Sequence, residues 1–157
     1  PNLVARCRQT RLPFGPLPSR EELTQRAQRR GREADLARAM LETLDRHGAL
    51  PASLDYGVTA WCFGNDLAMV FLPGEVVVDY ALRLKREYDG RRMWVTAYAN
   101  DVPCYIASER VMREGGYEVD SSMVSYGQPT RLAPESEELI ITTVRELVPA
   151  SFRPKRG

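Results

Sequence analysis

The sequence holds a single histidine, His47, among 157 residues. A zinc enzyme normally draws on two or three imidazoles, so any metal chemistry in this chain is incomplete or unusual. The three cysteines, Cys7, Cys62 and Cys104, are odd in number and lack metal-ligand spacing. That argues against a disulfide framework and for buried thiols. No apolar run approaches the ~20 residues a membrane span needs. An excess of one charge is also missing: 22 basic and 21 acidic residues leave a formal charge of +1. No global field points to nucleic acid, and no such partner is expected. The chain opens on Pro1 without an initiator methionine or a secretory signal pattern, which suggests a processed or excised piece.

What is present is ordinary. Hydrophobic residues make up 43% and charged residues 27%, the balance of a globular domain. The length suits one domain with a real core.

Residues 1–18 are expected to be an extended lead-in, because Pro13, Gly15, Pro16 and Pro18 forbid regular structure in "RLPFGPLPS". Ser19 opens a capping box with Glu22. Leu23, Ala27, Ala34, Leu41 and Leu44 then predict one long helix up to Gly48, weakened at Gly31. Arginines in "QRRGRE" lie on its outer side. They read as a solvated face, with phosphate binding as the alternative. Tyr56–Phe63 and Leu67–Leu72 flank "GND", a hairpin signal. The second strand, "LAMVFL", is apolar on both faces and therefore central.

After Pro73-Gly74 the period changes. Val77, Tyr80, Ala81, Leu84 and Tyr88 form a helical stripe that begins at Glu75, and "RMWVTAY" reads as another buried strand. Strand, helix and strand make a βαβ unit with parallel strands. Ser108 caps a short helix, "ERVMRE", ended by Gly115-Gly116. "GYEVDSSMVSYGQP" reads as a loop or irregular strand. "PESEELIITTVRELV" is a helix with Leu139, Ile140, Val144, Leu147 and Val148 facing inward. Residues 151–157 form a basic tail. The fold class is α/β: a mixed sheet with a βαβ unit and a hairpin, flanked by helices, as part of a domain.

Glu75 falls at the carboxyl end of the first parallel strand, and "ANDVPCY" leaves the second. Ligand sites in such sheets collect at that edge. Two explanations of Glu75 stand side by side: an acid complementing a helix dipole, or a hard oxygen ligand for a metal.

"LPGEVVVDYALRLKREY", "VTAYANDVPCYIASERVMREGGYE" and "SSMVSYG" resemble the C-terminal part of the catalytic domain of neutral/alkaline ceramidases, and more closely the neutral/alkaline non-lysosomal ceramidase-like family of bacteria. The resemblance covers about residues 55–148, and the domain would occupy 19–150. Its motifs are the Pro-Gly-Glu turn, the Tyr-Ala-Asn strand end, the Tyr-Ile step and the Gly-Tyr-Glu loop, in family order. The family holds a catalytic zinc with two histidines, a glutamate and a tyrosine, and a zinc-activated water attacks an N-acyl amide such as ceramide. Carried onto this chain, the glutamate is Glu75 and the tyrosine is Tyr105, which either ligates or steadies the oxyanion. The two histidines belong to an earlier part of the domain.

Tyr98, Asn100, Tyr117 and Glu118 are candidates to line the pocket around the metal, with ordinary packing or turn formation as the alternative for each. His47 is assigned to the helix C-terminus rather than to ligation, and Cys104 to a buried thiol. The resemblance also implies a lipid amide substrate, zinc in the complete site, and a secreted, periplasmic or membrane-surface location. It makes the N-terminal portion of the same domain the partner, with self-association through exposed apolar surface in its absence. Here "YIASE" and "VMREGGYE" depart from the family's longer, more polar stretches and "SSMVSYGQP" keeps only the outline of its Ser-Thr-Tyr-Gly region, which leaves a non-catalytic binding or structural module as the alternative. The arginine-rich segment at 26–32 supports a third, phosphate- or nucleic-acid-binding reading.

Overall fold

The computed structural model describes residues 2–154; Pro1 and residues 155–157, the end of the basic tail, lie outside them. A four-stranded mixed sheet runs in the order β1-β2-β3-β5. Its strands are β1 (Leu3–Pro13), β2 (Ser53–Phe63), β3 (Leu67–Phe71) and β5 (Met93–Thr96). β1 and β2 are antiparallel from Leu3↔Phe63 to Pro13↔Ser53. β2 and β3 form the expected hairpin around Gly64-Asn65-Asp66. β3 and β5 are parallel, Ala68↔Met93 through Phe71↔Thr96. They are joined through a two-residue strand, β4 (Glu75–Val76), and a helix, α3 (Val78–Glu87). β3 therefore takes the central place that its two apolar faces require.

The lead-in is not free chain. Leu3–Pro13 is extended as a strand of the sheet, and its prolines begin only where pairing stops. Leu12 and Phe14 belong to the core. The single long helix is two: α1 (Arg20–Ala27) and α2 (Arg32–His47), parted at Gly31 with φ 100°. A residue with no Cβ accepts that turn readily. The capping box forms as expected, with the Glu22 N–H donating to Ser19 Oγ at 3.2 Å and the Ser19 N–H donating to Glu22 Oε2 at 2.7 Å. Gly48 closes α2 in the left-handed conformation, φ 77°. His47 stands exposed in the last turn of α2, on the helix C-terminus.

β6 (Tyr105–Ile106) pairs with β4 as a small second sheet. The helix α4 (Glu109–Glu114) carries the Ser108 cap. Residues 117–125 correct the loop expectation: a π-helical turn, Tyr117–Ser121, runs into α5 (Ser122–Ser125). α6 (Glu135–Leu147) buries Ile140, Val144 and Leu147, but Leu139 is exposed and Ile141 is buried in its place. Phe152, in the tail segment, is part of the core and lies under the Arg92 guanidinium.

Helices cover one face of the sheet only. Tyr56, Val58, Ala60, Ala68 and Val70 point to α3 and α6 and are buried. On the open face Trp61 packs on Phe71, ring centroids 4.8 Å apart, and Trp94 is 59% exposed. β5 is thus a half-open edge strand rather than a buried one. Cys62 and Cys104 are buried, whereas Cys7 on β1 is exposed, contrary to the expectation for all three. A smaller core of Leu23, Ala37, Met40 and Leu50 holds α1 to α2.

α3 is tied to α6 by charge. Arg83 pairs with Glu87 at 3.1 Å, with Glu137 at 2.7 Å and with Glu138, while Arg145 pairs with Glu87 and Glu138 at 2.7 Å. The Arg145 bonds hold Glu87 below the usual carboxylate range, and the Arg83 bond does the same for Glu138. A depressed carboxylate stabilises the fold above its unfolded pKa, and the contribution is lost as pH falls through the folded value. The melting temperature is therefore expected to be flat from neutral pH down to about 5 and to decline below ~4.3, the ordinary glutamate value. Arg145→Ala should flatten that decline; an unchanged acid limb in a pH-dependent melting series would contradict this role.

Candidate functional site

The Pro73-Gly74 bend ends β3 and turns the chain toward the loop that leaves β5. The Gly74 N–H donates to Asp101 O at 2.8 Å, and the Tyr98 N–H donates back to Gly74 O at 3.0 Å. Glu75 then pairs with Tyr105, and Val76 with Ile106, in parallel register. Two buried phenols fix the surroundings. Tyr56 donates from β2 to Pro73 O at 2.8 Å, and Tyr80 donates from α3 to Ala107 O at 3.1 Å. Burial raises the pKa of both, so they stay neutral donors.

Glu75 is not in the first turn of a helix. It lies on β4, and α3 starts three residues later, with Asp79 as its first-turn acid. The dipole explanation of Glu75 therefore falls away. Asp79 instead pairs with Arg110 at 3.0 Å and accepts from Ser108 at 2.5 Å.

The Glu75 carboxylate is ringed by phenols. Tyr98 donates to Oε2 at 2.8 Å and Tyr126 donates to Oε1. The same carboxylate, with a smaller effect of burial, pushes the nearby Tyr105 phenol up to about 12. Its ring meets Tyr117 edge-on at 5.8 Å and Tyr126 at 6.3 Å. Among the described residues no lysine, arginine or histidine forms an ion pair with Glu75. Its hydrogen-bond partners are neutral phenols, not cations.

Tyr98 reaches Glu75 from an uncommon backbone, φ 56°, and Asn100 follows at φ 68°. Such conformations cost a non-glycine residue of order 1–3 kcal/mol and persist where the surroundings impose them. Here the imposing contacts are the Tyr98 N–H bond to Gly74 and the phenol bond to Glu75.

The structure brings Glu75, Tyr105, Tyr98 and Tyr117 together: Glu75 pairs with Tyr105, Tyr98 donates to Glu75, and Tyr117 meets the Tyr105 ring. Asn100 lines a different hollow, with Cys7, Gln9, Asp55 and Pro73. Glu118 follows Tyr117, half-buried, in the π-helical turn. Tyr126 is the functional candidate that sequence reasoning missed. It sits at the end of α5, and Gln128 beside it donates to Pro103 O at 2.9 Å, which ties that turn to the Tyr98 loop. Its only sequence signal is the Tyr-Gly step in "SSMVSYG". Cys104, under the site, is fully buried and its thiol is pushed up to about 12 by desolvation, the mark of an inert group.

The oxygen donors of Glu75 and Tyr105 suit part of a zinc shell, which accepts carboxylate oxygen as well as imidazole. They do not complete one. Among the described residues no group of three or more His, Cys, Asp or Glu side chains is placed to hold a metal. Comparison with family models, curated proteins and solved structures yields no match.

Proposed function

We propose that the chain is the C-terminal portion of a zinc-dependent amidohydrolase resembling the neutral/alkaline non-lysosomal ceramidases, with ligands from an earlier portion completing its site. The observation that supports this most is the pairing of Glu75 with Tyr105 on adjacent parallel strands, where the carboxylate accepts from two phenols and forms no ion pair among the described residues.

Zinc, when bound, would supply Lewis acidity to a water and to the amide carbonyl of a lipid N-acyl substrate. The chain's own part is positional. Glu75 offers a carboxylate oxygen to the metal, and Tyr98 and Tyr126 fix its orientation by donating to its two oxygens. Tyr105, neutral at working pH, is a hydrogen-bond donor toward the oxyanion that develops on the carbonyl. The open sheet face with Trp61, Met69, Phe71 and Trp94 is the surface on which the rest of the domain, or in its absence a second copy, packs.

Metal analysis of a polypeptide that includes the upstream portion should find one zinc per chain, together with hydrolysis of N-acyl sphingosine. Glu75→Gln is expected to strip the zinc. Tyr105→Phe should lower kcat by about 10²–10³-fold while zinc is retained. Calorimetry on the 157-residue chain alone should show no tight zinc binding, because one carboxylate beside a neutral phenol holds zinc poorly. Full zinc content in the Glu75→Gln protein would refute the assignment, and a zinc-free, inactive long polypeptide would leave the non-catalytic module.

A further inference from the structure

The arginine-bearing turn between α1 and α2 does not simply face solvent. It forms the rim of a cavity of about 230 Å³ between the α1–α2 pair and the segment 120–131. Leu23, Ala37, Met40 and Met123, all buried, make its apolar floor. Arg26 and Arg29 stand at its mouth, joined by Arg131 from the opposite wall.

The charges at this mouth do not cancel. Arg131 is matched by Asp120. Arg26 and Arg29 form no ion pair among the described residues, and Glu33 is the one remaining acid on the lining. One net positive charge is left over an apolar floor. The turn itself is held in place: Arg38 donates to Ala27 O at 2.8 Å and to Arg29 O at 3.2 Å, and its other nitrogen pairs with Asp35 at 2.7 Å. The two free guanidinium groups therefore hang from a braced backbone, and less freedom is lost when they close on a ligand.

We propose that this cavity is a binding site for a small amphipathic anion, an alkyl carboxylate or alkyl phosphate. The anionic head would lie between Arg26 and Arg29, and the alkyl chain against Met40 and Met123. Guanidinium forks match carboxylate and phosphate oxygens, and thioether side chains adapt to flexible apolar chains. The volume lies below the ~300–1,000 Å³ of drug-sized pockets, which limits the ligand to a short chain. Binding here does not depend on the zinc reading, because none of Glu75, Tyr98, Tyr105, Tyr117 and Tyr126 lines this cavity.

The test uses the 157-residue protein and three probes, octanoate, octanol and inorganic phosphate, followed by calorimetry and by the NMR signals of the methionine methyl groups. Octanoate should bind one to one and shift the Met40 and Met123 methyl signals, at least tenfold more tightly than either octanol or phosphate. Arg26→Gln combined with Arg29→Gln, both exposed positions that leave the core intact, should weaken octanoate at least tenfold while octanol binding stays as it was. Leu36→Trp, which fills the cavity, should abolish the methyl shifts. Absence of octanoate binding overturns the proposal. So does octanoate affinity unchanged by the double substitution, or phosphate binding as tightly as octanoate.

Discussion

Replacing Gly74 with alanine lowers the melting temperature by roughly 9 °C, taking about 3 kcal/mol of destabilisation at ~2–4 °C per kcal/mol for a chain of this size. Two effects add. The backbone at Gly74 has φ +84°, a region that a Cβ makes costly. The added atom would also stand 2.7 Å from Cys104 O and 2.8 Å from Ile106 Cγ1. Strain of this kind costs about 1–3 kcal/mol and overpacking about as much again. Neither neighbour yields cheaply, because one is main chain and the other is fully buried. The only relief is to push β6 away from β4, which separates Glu75 from Tyr105. Thermal denaturation of the variant measures the loss. A melting temperature within 2 °C or so of the parent would show that the Pro-Gly bend is not what holds these strands together.

Replacing Glu75 with glutamine brings the Tyr105 phenol down from about 12 toward the ordinary tyrosine value near ~10, a change of about a hundredfold in its ionisation constant. The Glu75 carboxylate beside the phenol is the larger cause of the elevation, with burial second. Both favour the neutral form in the native state. A raised folded pKa stabilises below the unfolded value and is lost as pH rises through the folded one. Alkaline destabilisation of the parent through this group is thus expected between about pH 10 and 12, and the window should narrow in Glu75→Gln. Absorbance near 295 nm during a pH titration reports phenolate directly. Tyr126→Phe is the companion variant: it removes one donor but keeps the charge, so Tyr105 should still titrate late. If the titration of Tyr105 is the same in Glu75→Gln as in the parent, the carboxylate is not what governs the phenol.

Where the physics was local, the sequence carried it. The Ser19 capping box, the Gly48 stop and the Gly64-Asn65-Asp66 turn all appear at their expected places. β1 was illegible as a strand because neither of its faces is strongly apolar. Arg6, Arg8 and Thr10 alternate with Ala5, Cys7 and Gln9, and pairing with β2 supplies what patterning does not. Gly31 weakens a helix on paper, but the choice to break there belongs to the packing of α1 back onto α2 through Leu23, Ala37 and Met40. In the site, Glu75 was marked by its place after the first strand of the βαβ unit, whereas Tyr105 came only from the resemblance; the two pair on the short strands β4 and β6. The helix start was placed too early, since a two-residue strand such as β4 has no period to detect. Tyr126 lies 51 residues from Glu75, at the end of α5 in a segment that reads as loop, and its bond depends on that segment folding back to Glu75.

The left-handed backbone at Tyr98 sets two selective pressures against each other. Glycine there would relieve the main chain and favour heat resistance, and it would also delete the phenol that steers the Glu75 carboxylate. A screen that rewards only thermal endurance should drift away from tyrosine at that position, whereas one that rewards the proposed amide hydrolysis should keep it.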